Sequence, residues 1–182
     1  MSLTLRPARR GEIPALNLLI ADSARALSRG YYTDPQIESA VTHVFGVDSR
    51  LVDDGSYLVA EREGEVAGCG GWSRFRALYG GDQRPVGGDD VLDPASEAAR
   101  IRAFFVAPAH ARRGVGRALL LACADAARQQ GFQRLELMAT LPGVPLYSAM
   151  GFRAIREVVD RLPDETLLPF VQMGCAIADL ER

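Results

Sequence analysis

At 182 residues, with 48% hydrophobic and 24% charged side chains, the chain has the make-up of one globular domain, 1–182, able to bury a proper core. Its 21 basic residues face 23 acidic ones, a formal charge of −2, so the basic excess of a nucleic-acid binder is absent. No apolar run approaches the ~20 residues of a membrane span. The opening Met1-Ser2-Leu3-Thr4-Leu5-Arg6 lacks the apolar core of a signal peptide, so a cytoplasmic protein is expected, with neither membrane nor nucleic acid as partner. Cys69, Cys123 and Cys175 form no CxxC pair, and with only His43 and His110 available no metal cluster is expected. Every basic residue is arginine, which rules out a Schiff-base or phosphate-clamping lysine.

Leu3, Leu5 and the Arg6-Pro7 break predict a short first strand. From Gly11 to about Leu27, Ile13, Leu16, Ile20, Ala24 and Leu27 recur at helical spacing. Gly30-Tyr31-Tyr32 is a loop with two adjacent aromatics. Asp34-Pro35 then opens a second helix that Ile37, Val41 and Val44 carry to Gly46. Ser56 to Glu61 is strand-like, Glu63-Gly64-Glu65 makes a tight turn, and Val66 to Phe75 pairs back as a hairpin. Ala77 to Ser96, with four glycines and two prolines, is a lid or an insert.

Ala99 to Val106 reads as the central strand. Ile101 and Phe104 are both core-type yet three apart, which a β-bulge explains. A long helix follows from Gly114 to Gln130, closed by Gly131 in a left-handed cap. Phe132 to Met138 leads into a strand, a short helix carries Leu146, Tyr147 and Met150 to Gly151, and two strands follow, Phe152 to Val159 and Pro169 to Ile177. The fold class is α/β (α+β): a mixed sheet of about seven strands flanked by about four helices.

The chain's most informative stretch runs from Phe104 to Leu120. An apolar strand stops at Pro108, a basic turn of Arg112 and Arg113 follows, and Gly114-Val115-Gly116 opens a helix. The first N–H groups of a helix lack partners within it, and its dipole favours an anion there, so the layout suits a phosphate or pyrophosphate. The dinucleotide fingerprint needs a third glycine where Leu119 stands, and the ATP-type loop needs a lysine; both readings fail.

The stretch resembles the acyl-CoA-binding motif Q/R-x-x-G-x-G/A of the GNAT superfamily of N-acetyltransferases. Set on Gly114 and Gly116, the Q/R place falls on Ala111; set two residues later, Arg113, Gly116 and Ala118 fit. Downstream, Leu146-Tyr147-Ser148-Ala149-Met150-Gly151-Phe152 resembles the family's F/L-Y-x-x-x-G-F segment. The order of strands and helices is also that of the GNAT fold, so the likeness covers nearly the whole chain. It implies an acetyl-CoA-dependent N-acetyltransferase working by direct attack of a primary amine in a ternary complex, with coenzyme A bound by Phe105, Val106, Arg112, Arg113, Gly114, Val115, Gly116, Arg117, Ala118 and Tyr147. In the family, the central strand splays from the next one and bonds pantetheine as if it were an added strand. The Val106 N–H is then the expected contact for the acetyl carbonyl, and Tyr147 the acid that protonates the departing sulfur. The alternative is a non-catalytic acyl-CoA-binding module.

The general base departs from the family pattern. The glutamate many relatives carry at the start of the central strand is Arg100 here. Glu97 is the nearest upstream carboxylate and ranks first, ahead of Asp89, Asp90, Asp93 and His110; a water chain is equally open. The acceptor, a small-molecule or peptide amine, is expected against Tyr31, Tyr32, Trp72, Phe75 and Phe104, with Arg74, Arg100 or Arg102 holding any acidic group on it. A homodimer is compatible with all of this.

Overall fold

The structure, a computed structural model, describes residues 2–84 and 90–181. Seven strands form one sheet in the order β1-β2-β3-β4-β5-β7-β6. These are β1 (Leu3–Pro7), β2 (Tyr57–Arg62), β3 (Glu65–Ser73), β4 (Ala99–Val106), β5 (Arg134–Thr140), β6 (Arg153–Arg161) and β7 (Leu167–Ala176). Neighbours run antiparallel except β4 and β5, which are parallel. The turn between β2 and β3 works because Glu63 and Gly64 both take positive φ, 57° and 82°, matching the twist of a tight hairpin.

Helices α1 (Ile13–Leu27), α2 (Asp34–His43) and α3 (Ser49–Asp53) cover one face. Leu16, Ile20, Ile37 and Leu51 there meet Tyr57, Val59, Leu168 and Phe170 of the sheet. Helices α4 (Val115–Gln129) and α5 (Val144–Ala149) cover the other, where Leu120, Cys123 and Tyr147 meet Ile101, Leu135, Leu137 and Met173. Five helices therefore replace the expected four. The missed one is α3, too short to show a helical period; the buried carboxylate of Asp48 caps it, accepting from Arg50 N at 3.0 Å. Helix α2 also ends at His43, three residues short of Gly46.

The expected bulge is present in β4. Against β3, Cys69 pairs with Phe105 and Gly71 with Arg102, so three steps on β4 answer two on β3. Ala103 absorbs the extra residue at φ 51°, and its carbonyl accepts from the Tyr57 hydroxyl at 2.9 Å. The slip turns Ile101 and Phe104 to the α4 side and Ala103 and Phe105 to the α1 side.

Candidate active site

Strands β4 and β5 pair only at Ala99–Leu135 and Arg100–Glu136. Beyond that point β4 stays with β3 and β5 stays with β7, so their facing edges diverge. An ion pair from Arg100 Nη1 to Glu136 Oε2, 2.9 Å, closes the narrow end of the wedge. Ala107 N donates to Ala67 O of β3 at 2.9 Å, so by strand alternation the preceding Val106 N–H turns toward the open wedge. Diverging edges of this kind offer unpaired N–H and C=O groups to an extended ligand.

The wedge opens into a cleft of about 530 Å³, counting its open mouth, that passes through the sheet. Ile101, Phe104, Leu137 and Tyr147 line it on the α4–α5 side. Phe45, Tyr79, Ala103, Phe105, Met138 and Phe170 line it on the α1–α2 side. The Phe104 ring lies directly over Gly70, which leaves it room: a Cβ there would lie 2.2 Å from the ring. Val44, Gly46, Leu78, Gly80 and Thr140 complete the lining.

The glycine turn lies between the end of β4 and the start of α4. Arg112 and Gly114 both adopt left-handed backbone, φ 62° and 82°. The first helical bond of α4 is Ala118 N to Gly114 O, 3.0 Å, which leaves the Val115, Gly116 and Arg117 N–H groups without helical acceptors. A Cβ added at Gly114 would meet nothing within 4 Å, so the turn is open to a ligand. One added at Gly116 would strike Leu146 at 2.9 Å and reach Val106 at 3.8 Å, so α4, α5 and the end of β4 converge there. Arg112, Arg113 and Arg117 are exposed around the turn. Donor set, left-handed turn and surrounding cations fit the diphosphate of coenzyme A.

Tyr147 is buried, with 7% exposure, and packs edge-on against Phe152 at 5.7 Å. Its ring rests on Gly143, where a Cβ would stand 3.1 Å away. Tyr147 lines the cleft, and among the described residues nothing hydrogen-bonds its hydroxyl. Burial, helped by the nearby Cys123, raises its phenol well above the ordinary value, so it stays protonated.

Several expected residues fall elsewhere. Glu97 sits before β4, nine residues from Val106, which along a strand is roughly 30 Å. It is half-buried, paired with Arg76, and accepts from Asp93 N at 2.8 Å, so its carboxylate is engaged in capping that turn away from the wedge. Asp93 caps Ala95 and Ser96, Asp90 is exposed, and Asp89 lies outside the described residues. His110 is buried at the turn with Nε2 3.7 Å from Glu65 and, among the described residues, Nδ1 without a partner.

Tyr32 does not wall the cleft. Its hydroxyl donates to Pro169 O at 2.6 Å and accepts from Leu141 N at 3.0 Å, clamping β7 to the end of β5. Burial pushes it up to about 12. Tyr31 is half-exposed outside the cleft, and Trp72 packs on Phe132 at 6.1 Å in the α4-side core. Phe75 stacks under Arg50 and Arg74 and is not a cleft residue. Phe104 alone of the proposed acceptor aromatics lines the cleft. The arginines are committed too: Arg74 to Asp54 at 3.1 Å, Arg100 to Glu136, and Arg102 to Asp48 at 3.2 Å.

Phe45, Met138 and Phe170 had no signal in the sequence beyond ordinary core spacing. Tyr79 carried a faint one, as an aromatic inside the glycine-rich insert. The far part of that insert, residues 85–89, lies outside the described residues.

The family model described as Acetyltransferase (GNAT) family matches residues 21–152. The chain therefore belongs to the GNAT acetyltransferase family and is an acyltransferase with acetyl-CoA as its co-substrate. No curated protein matches its sequence. Similar solved structures include a GCN5-related N-acetyltransferase from Rhodopseudomonas palustris, at 18% identity, covering 97% of this chain and 96% of that one, TM-score 0.71. A PaiA N-acetyltransferase from Thermoplasma acidophilum in complex with coenzyme A aligns at 14% identity over 97% and 99% of the two chains, TM-score 0.64. The putative acetyltransferase YncA from Salmonella typhimurium, with acetyl-CoA, aligns at 18% identity over 97% and 95%, TM-score 0.62. At these identities the likeness defines the fold. Among the described residues no helix is long and apolar enough to cross a membrane, and no metal-ligand cluster occurs.

Proposed function

We propose that the protein is an N-acetyltransferase that passes the acetyl group of acetyl-CoA to a primary amine by direct attack within one ternary complex. The observation that carries this is the cleft through the sheet, which lets two substrates meet from opposite faces at the β4–β5 wedge. Solved relatives of the same fold were obtained with coenzyme A and with acetyl-CoA.

In this reading the N–H groups of Val115, Gly116 and Arg117 hold the diphosphate, and the β4 edge holds the pantetheine as an added strand. The Val106 N–H donates to the acetyl carbonyl as negative charge gathers on its oxygen. The neutral amine attacks from the α1–α2 side; its nitrogen bonds the carbonyl carbon as the carbon–sulfur bond breaks. Tyr147 gives its proton to the departing sulfur and recovers one from solvent. Among the described residues Glu136 and Asp48 are bound to Arg100 and Arg102, so the amine proton leaves through water.

The test is thiol release from acetyl-CoA with a panel of primary amines, with acetylated amine identified by mass spectrometry. Acetyl-CoA binding with neither amine-dependent release nor acetylated product across the panel refutes the transfer reading.

A further inference from the structure

The acceptor side of the cleft is unusual in what faces it. Two aromatic pairs form its walls: Phe45 with Phe105, ring centroids 5.3 Å apart, and Tyr79 with Phe170, also 5.3 Å. Leu78 and Met138 fill in between them. Among the described lining residues none is charged; the polar side chains are the hydroxyls of Tyr79, Thr140 and Tyr147.

Charged groups lie just behind these walls, and among the described residues each has an ion-pair partner, while Arg102 Nε is buried without a hydrogen-bond acceptor. Arg102, 2% exposed, donates to Asp48 at 3.2 Å and to Gly80 O at 2.6 Å. Arg84 pairs with Asp160 and stacks on Tyr79, its guanidinium carbon 4.9 Å from the ring centroid. Glu136 accepts from Arg100 at 2.9 Å and from Gln172 at 3.2 Å. Among the described residues a second charge on the acceptor, of either sign, would leave water and find no unpaired counter-charge, which is strongly unfavourable. An apolar or aromatic body gains by burial against four rings.

We propose that the acceptor is a small primary amine carried on an apolar, preferentially aromatic, body with no second charge. This rests on the acetyl-transfer reading of the same cleft. It also agrees with the need for the amine to arrive neutral, since the same walls disfavour an ammonium.

The test compares kcat/KM for 2-phenylethylamine, spermidine and glutamate on the intact protein with saturating acetyl-CoA. Calorimetry of 2-phenylethylamine and spermidine on the CoA-loaded protein runs beside it. We expect 2-phenylethylamine to lead by about 30-fold or more, the selectivity an apolar pocket supports. Leu78→Asp, at a partly exposed wall position, should cut the ratio to spermidine at least about tenfold by adding an unmatched carboxylate. Preference for spermidine or glutamate, or equal turnover, overturns the inference and leaves acetyl transfer standing. An unchanged ratio in Leu78→Asp also overturns it, by taking this wall off the acceptor's path. If no amine is acetylated but 2-phenylethylamine alone binds the CoA-loaded protein, the cleft's selectivity stands and the transfer reading fails. If 2-phenylethylamine binds no better than spermidine, the inference falls.

Discussion

Tyr147→Phe isolates one proton. The ring keeps its seat: Phe retains the packing on Gly143 and the edge contact with Phe152. Removing a tyrosine hydroxyl usually costs about 1 kcal/mol through a lost hydrogen bond. Here no described group bonds that hydroxyl, so the melting temperature should stay within a degree or two. The kinetic loss is a different matter. If the hydroxyl protonates the thiolate as it leaves, kcat should fall by roughly 10² to 10⁴, the span of a positioned general acid. Affinity for acetyl-CoA, read by calorimetry, should change less than about threefold, because the glycine turn carries the diphosphate. The pH profile adds an independent check. Burial raises the phenol, so its acid form persists across the working range, and wild type should show no alkaline limb from Tyr147 below pH ~10. The acid limb, from deprotonation of the amine, should be the same in both proteins. Wild-type kcat in Tyr147→Phe, with single-turnover kinetics showing chemistry to be rate-limiting, would falsify the acid assignment.

Replacing Gly114 by Val forces a branched residue to φ 82°, and Gly116→Val drives a Cβ to within 2.9 Å of Leu146; each should weaken coenzyme A binding at least tenfold by calorimetry in protein whose circular dichroism is unchanged. Asp48→Ala strands Arg102 in the core and removes the α3 cap, and the loss should be roughly 3–5 kcal/mol in chemical denaturation; a loss below about 1 kcal/mol refutes the buried pair. Tyr32 has a raised folded value, about 12 against an ordinary 10, so its share of stability is complete below pH ~10 and is lost as pH rises toward 12. That share is about 2–3 kcal/mol. Tyr32→Phe should flatten the alkaline fall in stability between those limits while losing its bonds to Pro169 and Leu141 at neutral pH.

The sequence alone determined the order of elements other than α3, because each of these carries its period or its punctuation locally. Helix α4 is announced by its Ala and Leu content between Gly114 and Gly131, and the β4 bulge by the three-residue gap between Ile101 and Phe104. The glycine turn proposed to hold the diphosphate was legible for the same reason: consecutive backbone N–H groups come from neighbours in the chain, here Gly114-Val115-Gly116. Helix α3 was not legible, since five residues are too few to reveal a period. The proposed acceptor side lay wholly beyond local reading. Its walls come from the end of α2, the 78–80 loop, β4, β5 and β7, segments as far apart as Phe45 and Phe170. Only the divergence of two parallel strands brings them to one opening. Tertiary structure likewise decided which aromatics and charges were free. Tyr32, Trp72, Glu97 and Arg102 have the right chemistry for a site, yet each is engaged by a partner from a distant element: Pro169 and Leu141, Phe132, Arg76, and Asp48. Composition sets what a side chain can bond, but long-range packing sets whether that capacity is still unspent.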